Sequence, residues 1–175
     1  MDGDARNVIR TCMHVYPARP AGKSRVLPWE FSTPGGTLAI APKNLERVKD
    51  RIRQITRRNR VESLDRMVGE LNLFLTGWVT YYRYEKCRSH LIKLDSWIRS
   101  KLCCVRLKQR KRAKSIAEFL KSLGVPKNRS WTTAACGKGW WRTAHGPSAH
   151  EAMTPVWFQK LGLVFLAERY TALNH

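Results

Sequence analysis

The chain has 175 residues, room for one ordinary domain or one domain with appendages, and its 43% hydrophobic and 10% aromatic content can build a core, which excludes wholesale disorder. Its 33 Lys+Arg against 13 Asp+Glu leave a net charge of +20, a self-repelling excess that a polyanionic partner explains economically. Five cysteines with no CxxC spacing exclude a disulfide framework or zinc ribbon, and no signal peptide or membrane-length apolar run is present, so a soluble cytoplasmic chain with reduced thiols is expected.

Residues 1–36 read as a loop-rich or disordered lead-in, because Pro17, Pro20, Pro28 and Pro34 with Gly22, Gly35 and Gly36 interrupt every periodic pattern. TLAIA at 37–41 is a candidate short strand. A first helix is predicted from Pro42, a residue suited to an initial turn, with Leu45, Val48, Ile52 and Ile55 as its apolar stripe. Arg47, Arg51, Arg53, Arg57 and Arg58 cover much of the remainder. Ser63 is the expected N-cap of a second helix, with Asp65 favourably placed in its first turn.

That second helix contains LNLFLTGWVTYYRY at 71–84, which raises a choice between an exposed stacking platform and a buried stripe. With about 100° of rotation per residue, Phe74, Leu75, Trp78 and Tyr82 fall within about 60° of Leu71. Leu64, Met67 and Val68 extend the same face upstream, so most of these rings are predicted to be core. Tyr84 is the ring expected at the surface. Gly77 costs a helix about 1 kcal/mol relative to Ala, which suggests close approach by another chain element or by RNA.

A third helix is predicted from a Ser89 cap through Lys111, with Leu91, Leu94, Ile98, Leu102 and Val105 inward and Trp97 beside them. Cys103 and Cys104 fit as small fillers, since adjacent thiols project in different directions. The end of this helix is strongly cationic, at Arg106, Lys108, Arg110, Lys111, Arg112 and Lys114. AKSIAEFLKSLGVP gives a short fourth helix stopped by Gly124. Residues 127–150 read as a Trp-, Gly- and Ser-rich connection, Thr154-Pro155 as another helix start ended by Gly162, and LVFLAERY as one more helix. The expected fold is mainly α, a small helical bundle over 37–126, with the lead-in before it and a short helical appendage at 127–175. Residues 43–129 hold 24 Lys+Arg against 8 Asp+Glu, so a polyanion is expected to bind the middle of the chain.

From about Thr37 onward, over about four fifths of its length, the chain resembles the maturase-specific C-terminal region of bacterial group II intron reverse transcriptases. APKNLERVKDRIRQITRRNR is similar to that family's lead-in helix, and LNLFLTGWVTYYRY to its Leu-Asn, Gly-Trp, aromatic-basic hallmark. LDSWIRSKLCCVRLKQRKR, LKSLGV and GWWRTAHGPSAHEAMTPVWFQKLGL resemble the segments that follow, in the same order. The resemblance implies a thumb-like helical domain with a distal segment after it, an intron RNA partner, and help in folding that RNA for splicing. Contact with target DNA, intron mobility and a separate polymerase palm chain also enter only through the resemblance. Leu73 departs from it, standing where the family often has Pro.

No Asp-Asp pair occurs in the chain, so the Tyr-x-Asp-Asp turn of a polymerase is missing, as are the paired Cys and His residues of the family's nuclease. PAGKSRV lacks P-loop spacing, no GxSxG supports a catalytic triad, and His145, His150 and Cys136 lack the second close pair of a metal site. No enzymatic activity, catalytic residue, metal or cofactor is therefore expected. The expected function is RNA binding by a maturase-type fragment; the thumb of a split RNA-directed DNA polymerase and a general nucleic-acid-binding protein are the alternatives. The candidate RNA contacts are Arg47, Arg51, Arg53, Arg57, Arg58 and Arg60 on the first helix and its exit; Arg83, Lys86 and Arg88; and Arg106, Lys108, Arg110, Lys111, Arg112 and Lys114. Trp140, Trp141 and Arg142 join them, the two rings serving either base stacking or docking on the core. The expected structural core includes Leu71, Leu75, Gly77, Trp78, Tyr82, Leu94, Trp97 and Ile98. The two basic helix ends can form one surface if their helices pack antiparallel.

Overall fold

A computed structural model of the chain describes residues 29–31, 38–84, 87–137 and 139–174. Lys86 and most of the lead-in lie outside the described residues. Strand β1 (Trp29–Phe31) pairs antiparallel with β2 (Leu38–Ile40), Trp29 standing opposite Ile40. The sequence signals only the second strand; a three-residue strand between prolines is too short to display a period of two.

The fold is mainly α, with nine helices among the described residues. Helix α1 (Pro42–Ile55) starts with Pro42 in its first turn, where a missing N–H leaves no bond unmade, and buries Val48, Ile52 and Ile55. Helix α2 (Leu64–Tyr81) begins at Ser63, whose Oγ accepts the Arg66 N–H at 3.3 Å, with Asp65 in its first turn. Leu71, Leu75 and Trp78 of this helix, and Tyr82 just beyond it, are buried, and the Trp78 and Tyr82 ring centroids are 4.9 Å apart. Gly77 is half-buried within the same continuous helix. Tyr81 and Tyr84 remain exposed. Of the five rings in this stretch, Trp78 and Tyr82 are therefore core, as their register requires, and Phe74 packs half-buried against the core.

Helix α3 (Arg88–Gln109) is the axis of the molecule: α2, α6 and α9 all pack on it. It begins two residues before the predicted run, after Cys87 rather than at a Ser89 cap. Leu94 and Ile98 are buried, Trp97 is half-buried, and Cys103 and Cys104 fill the interior. Burial pushes the Cys103 thiol up to about 12, which keeps it protonated and inert. Helix α4 (Ala113–Ser122) ends in a left-handed Gly124 (φ 95°), and the Val125 and Gly124 N–H groups return to the Leu120 and Lys121 carbonyls.

Residues 127–150 differ from the predicted connection, for they fold into α5 (Lys127–Ala134), α6 (Trp140–Ala144) and α7 (Pro147–Ala152). These helices are too short to show an apolar period, and Gly137, Gly139, Gly146 and Pro147 punctuate them. Helix α8 (Pro155–Lys160) is capped by Thr154 and stopped by Gly162, and α9 (Leu166–Leu173) closes the chain's described part. Among the described residues, no helix is long and apolar enough to cross a membrane.

Two side chains of the long helices hold this distal part. Asn72 of α2 donates to the Gly162 carbonyl at 2.7 Å and accepts the Val164 N–H at 3.0 Å. Asp95 of α3 accepts the Leu166 and Ala167 N–H groups, each at 3.0 Å, and so caps α9 from another helix. Ala144, Phe158, Leu163 and Leu166 complete the contact by joining the same apolar core as α1–α4.

Candidate nucleic-acid interface

A cation can hold phosphate only if its charge is not already spent within the fold, and the structure divides the basic residues by this criterion. Arg60 is spent. Its guanidinium lies 2.8 Å from both Glu62 and Glu70 and donates to the Ile55 carbonyl at 3.2 Å. The bond to Glu70, then that to Glu62, raises its pKa. Arg51 leans on the same Glu70 at 3.7 Å and bonds Gln54 at 3.2 Å. These two arginines pin the exit of α1 to α2.

The basic run ending α3 does not act as one cluster. Successive residues rotate by about 100°, so Arg106 and Arg110 project to the side of α3 away from Lys101 and Lys108. There the Arg106 and Arg110 guanidinium carbons lie 5.2 and 4.6 Å from the Phe119 ring centroid of α4. Burial, then the neighbouring Arg110 charge, lowers the Arg106 pKa, and the Nε–H of each is buried with no acceptor among the described residues. Neither has a carboxylate within 4.0 Å among the described residues, so both keep their charge, but on the opposite side of α3 from Lys101 and Lys108. The antiparallel meeting of two whole basic ends is thus corrected to a partial one.

Lys108 does reach the exit of α1, donating to Asn59 Oδ1 at 2.6 Å, and Gln109 donates to the Glu62 carbonyl at 3.0 Å beside it. About two helical turns back, Lys101 feels the charges of Arg53 and Arg58. Its pKa is lowered, chiefly by burial, with those two arginines adding to the effect and Cys104 opposing it. Asn59 therefore lies against the end of α3 at Lys108. Arg57, Arg58, Lys101 and Lys108 have no carboxylate within 4.0 Å among the described residues. Arg53 differs, pairing with Asp50 at 2.6 Å and Glu46 at 3.8 Å.

Aromatic rings border this group. The Arg53 guanidinium carbon is 5.6 Å from the Trp97 centroid, and Lys101 Nζ is 5.2 Å from Trp97 and 4.8 Å from Trp141. Trp140 and Trp141, left between stacking and docking by their sequence, part company. Trp140 packs against the core and its carbonyl accepts the Cys104 thiol at 3.4 Å, whereas Trp141 stays 42% exposed. Of the remaining candidates, Arg47, Arg88, Lys111, Arg112 and Arg142 are exposed, Lys114 is exposed with Glu118 4.0 Å away, and Arg83 stacks on and bonds Tyr84. His145 and His150 ring centroids are 6.1 Å apart, and the described residues hold no cluster of metal-ligand type.

Three residues of consequence escaped the sequence reading. Lys101 carried a local signal, since it follows Trp97 by one turn on the same helix. Asn72 belongs to the Leu-Asn pair of the hallmark stretch, but neither it nor Asp95 showed its role, because their partners are 90 and 71 residues away.

Residues 45–123 match the family model described as group II intron, maturase-specific domain. No curated protein matches the chain. The matched stretch runs from the first turn of α1 through α4, so the exit of α1 and both sides of α3 lie inside it, while Trp141 lies outside.

Proposed function

With a maturase-specific domain match at residues 45–123 as the premise, we propose that the chain binds group II intron RNA and assists its folding for splicing, without catalysing bond formation itself. The observation that supports this reading is that Lys101 and Lys108 share one side of α3, Lys108 against Asn59 at the exit of α1, with no carboxylate within 4.0 Å of either, or of Arg57 and Arg58, among the described residues. A folded RNA presents phosphates and 2′-hydroxyls rather than a readable deep groove, and cations of this kind suit it. Binding would neutralise charge that now repels itself across a chain of net charge +20. The cytoplasm is the compartment proposed for this activity.

Filter binding to a group II intron RNA and to an unstructured RNA of equal length tests the proposal. A preference for the intron RNA is expected, with affinity falling by about 10³ to 10⁵ between about 50 and 200 mM salt if some six to ten phosphates are engaged. Equal affinity for the two RNAs would remove the maturase role.

A second reading draws on the outer face of α2 and the turn after it, where Leu73 and Tyr81, then Tyr84, are 78%, 59% and 74% exposed. Such a face suits cover by a separate palm chain of a split polymerase. Co-purification with an upstream palm polypeptide, lost on Leu73→Asp substitution, is the outcome that would favour it.

A further inference from the structure

We propose that the strip of rings and cations formed by Arg53, Trp97, Lys101 and Trp141 is a seat for unpaired nucleotides, in which Trp141 stacks on a base while Lys101 holds the adjoining phosphate. The inference rests on the nucleic-acid reading above and specifies which part of an RNA this face takes.

The chemistry begins with how the cations are held. Lys101 is fixed by two rings, at 5.2 Å from Trp97 and 4.8 Å from Trp141, and not by a carboxylate. A ring quadrupole orients an ammonium without cancelling its charge, so the full positive charge faces outward. Burial has also removed part of its water, which makes an arriving anion a better counter-ion than solvent. Arg53 is partly neutralised by Asp50 and Glu46, so it orients Trp97 more than it binds phosphate.

The ring geometry selects the base. Trp141 is 42% exposed while its neighbours on α6, Thr143 and Ala144, are buried, so packing beneath fixes the helix and leaves this one ring at the surface. His145 backs it, with ring centroids 4.3 Å apart, and His145 Nδ1 lies 2.9 Å from the Trp141 carbonyl oxygen. The ring is thus held before any ligand arrives, which lowers the ordering cost of binding. A duplex keeps its base faces stacked inward and can offer only phosphates here; a single strand or unpaired loop offers both groups. Because α1 and α3 supply the cations and α6 supplies the ring, the seat spans the family-matched residues and the segment beyond them.

Anisotropy titrations of the full chain with a short oligoadenylate and with an RNA duplex of equal length test the seat. Trp141→Ala is expected to weaken the single strand by about tenfold to a hundredfold, the equivalent of losing one stacked base, and the duplex by a much smaller factor, since Lys101 loses one of its two rings but keeps its charge. Trp141→Phe should recover most of the single-strand affinity, and Lys101→Ala should weaken both ligands. Unaltered far-ultraviolet circular dichroism of each variant confirms that folding is intact. Equal losses for both ligands in Trp141→Ala, no loss for either, or no single-strand binding by the unmodified chain would each overturn the seat. The two proposals fail separately. Intron RNA preference without a Trp141 effect removes the seat alone, whereas a Trp141 effect without intron preference removes the maturase role alone.

Discussion

Helices α1, α2 and α3 are 14, 18 and 22 residues long, whereas none of α5 to α9 exceeds 8. The long helices close on one another through apolar stripes, and Ile52, Met67, Leu71, Leu75 and Leu102 are wholly buried between them. Helices of eight residues or fewer are marginal by themselves in water, so the distal part needs outside support. It receives apolar docking by Phe158 and Leu166 and, in addition, the polar clamps at Asn72 and Asp95. One region is held by area, the other by area and by directional bonds lent from the first. The dependence should run one way only.

Breaking the lending region tests this most severely. Trp78→Ala removes a ring that is 7% exposed and stacked on Tyr82, and should destabilise the whole chain by about 3–5 kcal/mol. Denaturant unfolding followed at once by hydrogen exchange in α2 and α9 should show both regions failing together; survival of protected α9 amides would contradict the dependence. A smaller effect is expected of Asp95→Ala, about 1–3 kcal/mol, because two buried N–H groups lose their acceptor. Here the outcome should be uneven. Exchange should quicken at residues 166–170 while the α2 amides stay protected, and uniform quickening would mean that the two regions form one cooperative unit.

The same contrast explains what could be read in advance. Helix α1 and helix α2 announce themselves by Pro42, by Ser63 and by stripes repeating at threes and fours, and those signals are local. Trp97 lay in register with Leu94 and Ile98 and so read as core, yet it is half-buried with two cations on it, because α1 and not α2 approaches that side. Arg60 read as one more phosphate contact, but Glu62 and Glu70 occupy it. Within ITRRNRVES only Glu62 separates Arg60 from Arg58, and the second carboxylate, Glu70, appears only when α2 brings it across. Likewise Asp95 sits in a helix rich in polar residues, and its partner amides appear only after the distal segment has folded back. Periodicity reports which face is inward, and it says little about which charge meets which.

The finest test concerns the sign of the Asp95 contribution. Two amide hydrogen bonds, and the nearby Arg99, favour the carboxylate, and taken alone they predict stability gained as pH rises. Burial disfavours it and is the larger cause, with Glu168 adding to it, so the folded-state pKa is raised above the ordinary 3.8. A carboxyl with a higher pKa folded than unfolded binds its proton more tightly when folded, and its stabilising contribution is complete below the unfolded value and is lost as pH rises through the folded one. The stability of the unmodified chain relative to Asp95→Asn should therefore decline between about pH 3.8 and neutrality. Matched urea titrations across that window measure the gap. If it widens in favour of the unmodified chain as pH rises, the hydrogen bonds outweigh burial, and the clamp on α9 is a stronger electrostatic tie than its buried position implies.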